Sequence, residues 1–156
     1  MSTLRPILGD FNSIVCTKAI VTGIEEALGA KAATISLIAA GRVRGRGLIT
    51  QLGLDHQQSV SLEKLTELMS AALGKDGTRL CIIDQITEED GVYKVYTQET
   101  VCTSDEPEGS DRECSYTLGA IQGALETILD VRLRGKHVEF IKQGASHDVL
   151  RFSVLT

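Results

Sequence analysis

The chain has 156 residues, enough for one sizeable core, and its 42% hydrophobic and 24% charged content is that of an ordinary globular protein. Trp is absent and aromatics reach only 4%, which leaves the core to Leu, Ile, Val and Ala and argues against nucleic-acid binding on stacking platforms. Sixteen basic against 21 acidic residues give a net charge of -5, so binding of phosphate by bulk charge is disfavoured.

The two small basic groups, Arg42, Arg44 and Arg46 and then Arg132, Arg134 and Lys136, read as solvated edges. No signal peptide is evident, and no apolar run approaches the roughly 18 to 20 residues of a membrane span. A cytoplasmic protein, at most peripheral on a membrane, is expected. Cys16, Cys81, Cys102 and Cys114 are widely spaced without a C-x-x-C pair, and in a reducing compartment they read as small buried hydrophobes.

In chain order, Asp10 and Asn12 offer caps for a helix to about Leu28 with the stripe Phe11, Ile14, Val15, Val21, Ile24 and Leu28. From Ala30 to about Leu52 a strand-like opening competes with helix, and the alanines favour helix. Gly41, Gly45 and Gly47 would mark a kink or a close contact there. Ser59 or Ser61 caps a third helix buried through Leu62, Leu65, Leu68, Met69, Ala72 and Leu73. Leu80 to Ile86 and Val92 to Val101 form a hairpin about Glu88-Glu89-Asp90-Gly91. Ser104 to Arg112 reads as an exposed acidic loop. Neither a repeat nor a composition shift divides the chain, so residues 1–156 are expected to be one domain.

The helix from Cys114 to Leu129 gathers Leu118, Ile121, Leu125, Ile128 and Leu129 on one side. Tyr116, Gly119, Ala120, Gly123 and Thr127 gather nearly opposite, with Gln122 and Glu126 between. Small residues where charge belongs imply burial on both sides. Gly41 and Gly45 repeat the four-residue spacing of Gly119 and Gly123, so each pair offers a shallow groove, for another helix or for a flat ligand. A final hairpin follows. If Val138 and Phe140 share the core face with Leu150, Phe152 and Val154, Glu139 stands opposite Arg151 across a Gly144-Ala145-Ser146 loop. The fold class is α+β, with N-terminal helices and a C-terminal helix packed on an antiparallel sheet of two hairpins.

Cys114-x-x-x-x-Gly119-x-x-x-Gly123, then Glu139, Gly144 and the Arg151-Phe152 strand, resembles the end of a 4-vinyl reductase (hydrocarbon-binding) domain. That fold is shared with heme-NO-binding domains and with vesicle-tethering subunits of the transport protein particle. The match covers about a quarter of the chain and extends loosely to Gly41 and Gly45. The whole chain is also similar to small cyanobacterial members of this family linked with photosystem II assembly. The resemblance implies a homodimer and a tetrapyrrole, chlorophyll precursor or lipid as ligand. It further implies assembly intermediates of photosystem II as partners and a peripheral place on the thylakoid membrane. Many members carry a cysteine pair near the last two strands. Here Phe140 to Gln143 and His147 to Arg151 contain none, which leaves inherited metal binding unsupported.

Cys102, Cys114, His137 and His147 lack zinc-ligand spacing, and His56, His137 and His147 fall at turns or strand ends, where a solvated side chain is expected. Gly45-Arg46-Gly47 lacks the strand-turn-helix setting of a phosphate loop, and no dinucleotide fingerprint supplies a hydride. The expectation is therefore a non-enzymatic binding domain with no catalytic residues and no metal. Its ligand-lining candidates are Ile20, Ile24, Leu37, Gly41, Tyr116, Gly119, Gly123 and Phe140. A ligand-free dimeric scaffold and an accessory subunit of a vinyl reductase are the alternatives.

Overall fold

The computed structural model describes residues 4–55 and 59–156, so the expectation for His56 lies outside the described residues. The elements run α1 (Ile14–Leu28), α2 (Ala30–Gln51), α3 (Leu62–Leu73), β1 (Ile82–Glu89), β2 (Val92–Gln98), α4 (Ser115–Leu129), β3 (Leu133–Glu139) and β4 (Asp148–Val154). The four strands make one antiparallel sheet in the order β1-β2-β4-β3, so the two hairpins join through β2 and β4. This is the expected α+β architecture.

Ser61 caps α3, its hydroxyl accepting from Lys64 N–H at 3.1 Å. Asp90 and Gly91 both take positive φ and close the first hairpin in two residues, the geometry that an Asp-Gly pair favours. Ala30 to Gln51 is one continuous helix, which removes the strand alternative.

Close backbone packing of α2 on α4 organises the helical layer. A Cβ added at Gly41 would overlap the carbonyl oxygen of Tyr116, and one at Gly45 that of Ala120. Reciprocally, Cβ atoms at Gly119 and Gly123 would overlap the carbonyls of Ile38 and Arg42. The two glycine pairs thus face each other, and the grooves are filled by helix backbone. α4 is buried on nearly all sides, with Leu118, Ile121, Leu125 and Ile128 against the sheet residues Val95, Leu150 and Phe152. Gln122 is buried too: its amide donates to Leu133 O at 2.7 Å, while Glu126 accepts from Leu133 N–H at 3.0 Å and from Arg42 at 2.9 Å. These bonds fasten the end of α4 to the start of β3.

Four expectations fail for definite reasons. α1 begins after Ser13, because Asp10 is occupied by the Leu4 and Arg5 amides and Asn12 by the Ser13 amide. No residue of α1 is fully buried; Val15 is 73% and Leu28 55% exposed, so its stripe does not face the core. In the last hairpin a connection longer than three residues, with a 3-10 turn at Ile141–Gln143, sets Glu139 opposite Val149, and a bulge between His137 and Glu139 then shifts the register once more, so that Lys136 stands opposite Arg151. His137, not Val138 or Phe140, therefore turns inward beside Leu150. Finally, the 104–112 loop is not wholly solvated: Glu106 turns in to meet Lys18 at 2.6 Å and the guanidinium of Arg112, which also pairs with Glu25.

Candidate functional site

A cavity of about 300 Å³ lies between α1, α2 and the start of α4. α1 contributes Thr17, Ile20, Val21 and Ile24, α2 contributes Leu37 and Ala40, and Ser115, Tyr116 and Thr117 begin α4. Leu80, Val101 and Cys102 complete the wall. The lining is almost entirely apolar, with exposed Ile20 and Ala40 opening to solvent. A wider groove of about 770 Å³ adjoins it, sharing Leu80 and Tyr116 and adding Phe11, Leu48, Leu68, Arg44 and Asp76.

Of the residues expected to line a pocket, Ile20, Ile24, Leu37 and Tyr116 come together in this cavity. Gly41, Gly119 and Gly123 do not line it; they are spent on the α2–α4 contact. Phe140 stacks on the His137 ring with centroids 3.9 Å apart and is also absent from the wall. Val101 and Cys102 carried no sequence signal, since only the fold brings their loop to α1. The tether is Lys18, whose ammonium donates to Cys102 O at 2.6 Å, Ser104 O at 3.0 Å and Glu106 at 2.6 Å. Burial pushes the Glu106 carboxyl up, but Lys18 and Arg112 outweigh it and hold the group below its ordinary value.

Behind Cys102 sits a buried polar cluster. Cys102 and Cys114 are joined by a disulfide with Cα atoms 5.2 Å apart, which corrects the reading of all four cysteines as free hydrophobes. Cys81 is a free buried thiol whose pKa desolvation pushes up to about 12, and Cys16 is free and exposed. His137, also expected to be solvated, is 3% exposed. Its Nδ1 accepts the Cys114 amide at 3.3 Å, and its Nε2 faces Asp148 Oδ1 at 3.3 Å. Asp148 accepts further from Ile141 N–H at 3.0 Å, Thr103 at 3.1 Å and Thr100 at 3.2 Å. Burial raises its pKa, but His137 and these donors win, so it lies below the usual carboxylate range.

Cys114, His137 and Asp148 bring ligand-type atoms within 4.8 Å of one another. In this state, however, the sulfur is held in the disulfide and His137 Nδ1 by a backbone donor, so two of the three groups are already engaged. His147 joins neither this cluster nor the cavity. It bonds Asp84 at 2.8 Å and Ser146 at 2.9 Å at the sheet margin.

The fold defines a class, the α+β domains that place helices on one face of a four-stranded antiparallel sheet. Among solved structures, the phenol-responsive sensory domain of the transcription activator PoxR, with phenol, is similar at a TM-score of 0.69. Identity is 12%, covering 94% of this chain and 77% of that one. Trafficking protein particle complex subunit 3 from Naegleria fowleri, covalently bound to palmitic acid, matches at TM-score 0.61 and 14% identity over 92% and 93% of the two chains. An H-NOX protein from S. oneidensis in the Fe(II)NO ligation state matches at 0.60 and 13% over 94% and 78%. No family model matches the sequence, and no curated protein does. These likenesses establish the fold. Among the described residues the cavity wall holds no histidine and its one cysteine is in the disulfide, so Tyr116 is the one haem-ligand type of the wall left free.

Proposed function

We propose that this chain is a non-enzymatic binding domain that holds an apolar small molecule in the cavity between α1, α2 and the start of α4. The supporting observation is the cavity itself: enclosed by three elements, apolar, and edged by a few polar groups from Thr17, Ser115 and Thr117. Its volume of about 300 Å³ is at the small end of ligand sites. At interior packing density that is room for roughly fifteen non-hydrogen atoms, a single ring or a stretch of acyl chain. The phenol and the palmitic acid named with two of the similar structures are of those two kinds. A tetrapyrrole, which the 4-vinyl reductase resemblance implies, requires the adjoining groove as well, with Tyr116 and Leu80 turned aside.

The assignment as a carrier or assembly factor for photosystem II, peripheral on the thylakoid, rests on that resemblance alone. Among the described residues no helix is long and apolar enough to cross a membrane. Organic extraction of protein purified from its native host tests the proposal. A lipid, aromatic or pigment at near-stoichiometric amount is expected, and Leu37→Trp, which fills the cavity, should abolish it. A ligand-free native protein would defeat the carrier role.

A second reading, the homodimeric scaffold, has its own support. Val15 and Leu28 on α1 and Ile35 and Val43 on α2 are all more than half exposed, apolar side chains that a second copy of the chain would cover. Sedimentation of the full chain decides it: a dimer that Val43→Glu converts to monomer supports the scaffold, and a monomer at all concentrations removes it.

A further inference from the structure

The disulfide between Cys102 and Cys114 is asymmetric, and the asymmetry has chemical meaning. Cys102 forms part of the cavity wall, whereas Cys114 is fully buried behind it. Cys114 is also the N-cap residue of the fifteen-residue helix α4, so its sulfur lies at the positive end of the helix dipole. The nearby Asp148 carboxylate, which would oppose a second negative charge, is engaged by His137, Thr100, Thr103 and the Ile141 amide. One sulfur is thus placed to be approached from the cavity and the other to depart at the positive end of α4.

The structure assigns to this pair a thiol–disulfide exchange site: a small thiol entering the cavity attacks Cys102, and Cys114 is the leaving group at the head of α4. In the first step a thiolate forms a bond to Cys102 Sγ, the Cys102–Cys114 bond breaks, and Cys114 leaves with the electron pair. A second thiolate then attacks the reagent sulfur of this mixed disulfide, Cys102 leaves with the electron pair, and the reagent is released as its own disulfide. Two reagent thiols lose two electrons, and the two protein sulfurs gain them together with two protons. This order follows from geometry, since direct attack on the fully buried Cys114 has no open approach. The consequence is local. Cys102 also carries the carbonyl held by Lys18, so opening the bond removes the sulfur link between Cys102 and the head of α4 while Lys18 still ties the segment to α1 and Thr100 and Thr103 tie it to Asp148. Thiol state would thereby set the shape of the cavity wall. The inference concerns access to a cavity and does not require the ligand proposed above, so either can fail alone.

The test uses the full chain carrying Cys16→Ser, which removes the exposed thiol. The air-oxidised protein is treated with reduced glutathione, quenched in acid, unfolded, alkylated and mapped by peptide mass spectrometry. Glutathione on Cys102 with an alkylated Cys114 is the expected adduct, exceeding the reverse by about tenfold or more. Equal distribution, or glutathione chiefly on Cys114, overturns the assignment. So does an air-oxidised protein lacking the bond, or exchange that proceeds only in step with global unfolding as urea is raised. Exchange insensitive to low urea supports it.

Discussion

Asp148 is the residue on which the buried polar cluster turns. It is fully buried, yet its charge is met by His137, two threonine hydroxyls and a backbone amide. Breaking such a set by removing one member leaves the others unpaired in a dry interior, and Asp148→Ala should cost about 3 kcal/mol in urea unfolding. Its pH signature has a definite sign. A carboxyl whose folded pKa is depressed contributes stability above its unfolded value near 3.9 and loses it as pH falls through the folded value. Asp148 and Glu126 both behave this way: for Glu126 burial raises the pKa, but the Leu133 amide, Arg42 and Gln122 lower it further. Stability should therefore drop steeply below about pH 4, and Asp148→Asn should flatten that drop. An acid limb unchanged in the Asn variant would show that Asp148 does not contribute. None of this was legible in the sequence. His137 and Asp148 are isolated polar residues near a turn, and only the bulge after His137 rotates the imidazole inward.

At the scale of elements, the α2–α4 contact was the most legible part. Two glycine pairs at four-residue spacing on helices whose opposite faces are apolar can meet only if the helices approach backbone to backbone. What spacing alone left open was whether helix or ligand fills the groove, and the carbonyls of Ile38, Arg42, Tyr116 and Ala120 fill it. Position decides the sign of a substitution here. Gly45→Ala meets the Ala120 carbonyl and should destabilise by about 3 kcal/mol through forced helix separation, whereas Gly47→Ala meets nothing and should stabilise by about 0.5 to 1 kcal/mol through helix propensity. Thermal unfolding of the two variants tests the contact, and destabilisation of both alike would contradict it. The final hairpin was less legible because alternation predicts a face only when no residue is inserted. The longer connection, with its 3-10 turn Ile141–Gln143, moved the register by two residues and the extra residue in β3 by one more, so the pairing of Glu139 with Arg151 gave way to Lys136 with Arg151.

At the scale of the whole molecule, α1 stands apart from the remaining elements. The other helices bury a continuous face against the core, but α1 has no fully buried residue and roofs the cavity with partly buried Val21 and Ile24. Its stripe looked like a core stripe in the sequence because a helix facing a cavity, or a second chain, needs the same apolar period as one facing a core. What fixes α1 is electrostatic: Lys18 on the 99–113 segment, and Glu25 on Arg112. Lys18 is 16% exposed and its ammonium satisfies three oxygens, so Lys18→Met, which keeps the apolar stem, should cost about 2 kcal/mol locally. That corresponds to roughly thirtyfold faster hydrogen exchange, and it should appear in α1 and residues 99–113 without spreading to the sheet. The local energy follows from the arrangement: the sheet and α4 share one packed cluster, whereas α1 opens without disturbing it. The same variant should release a cavity-bound ligand faster, since α1 forms one wall of the cavity. Exchange that accelerates uniformly through the sheet would mean that α1 and the core unfold as one unit, and a roof able to open alone would then be excluded.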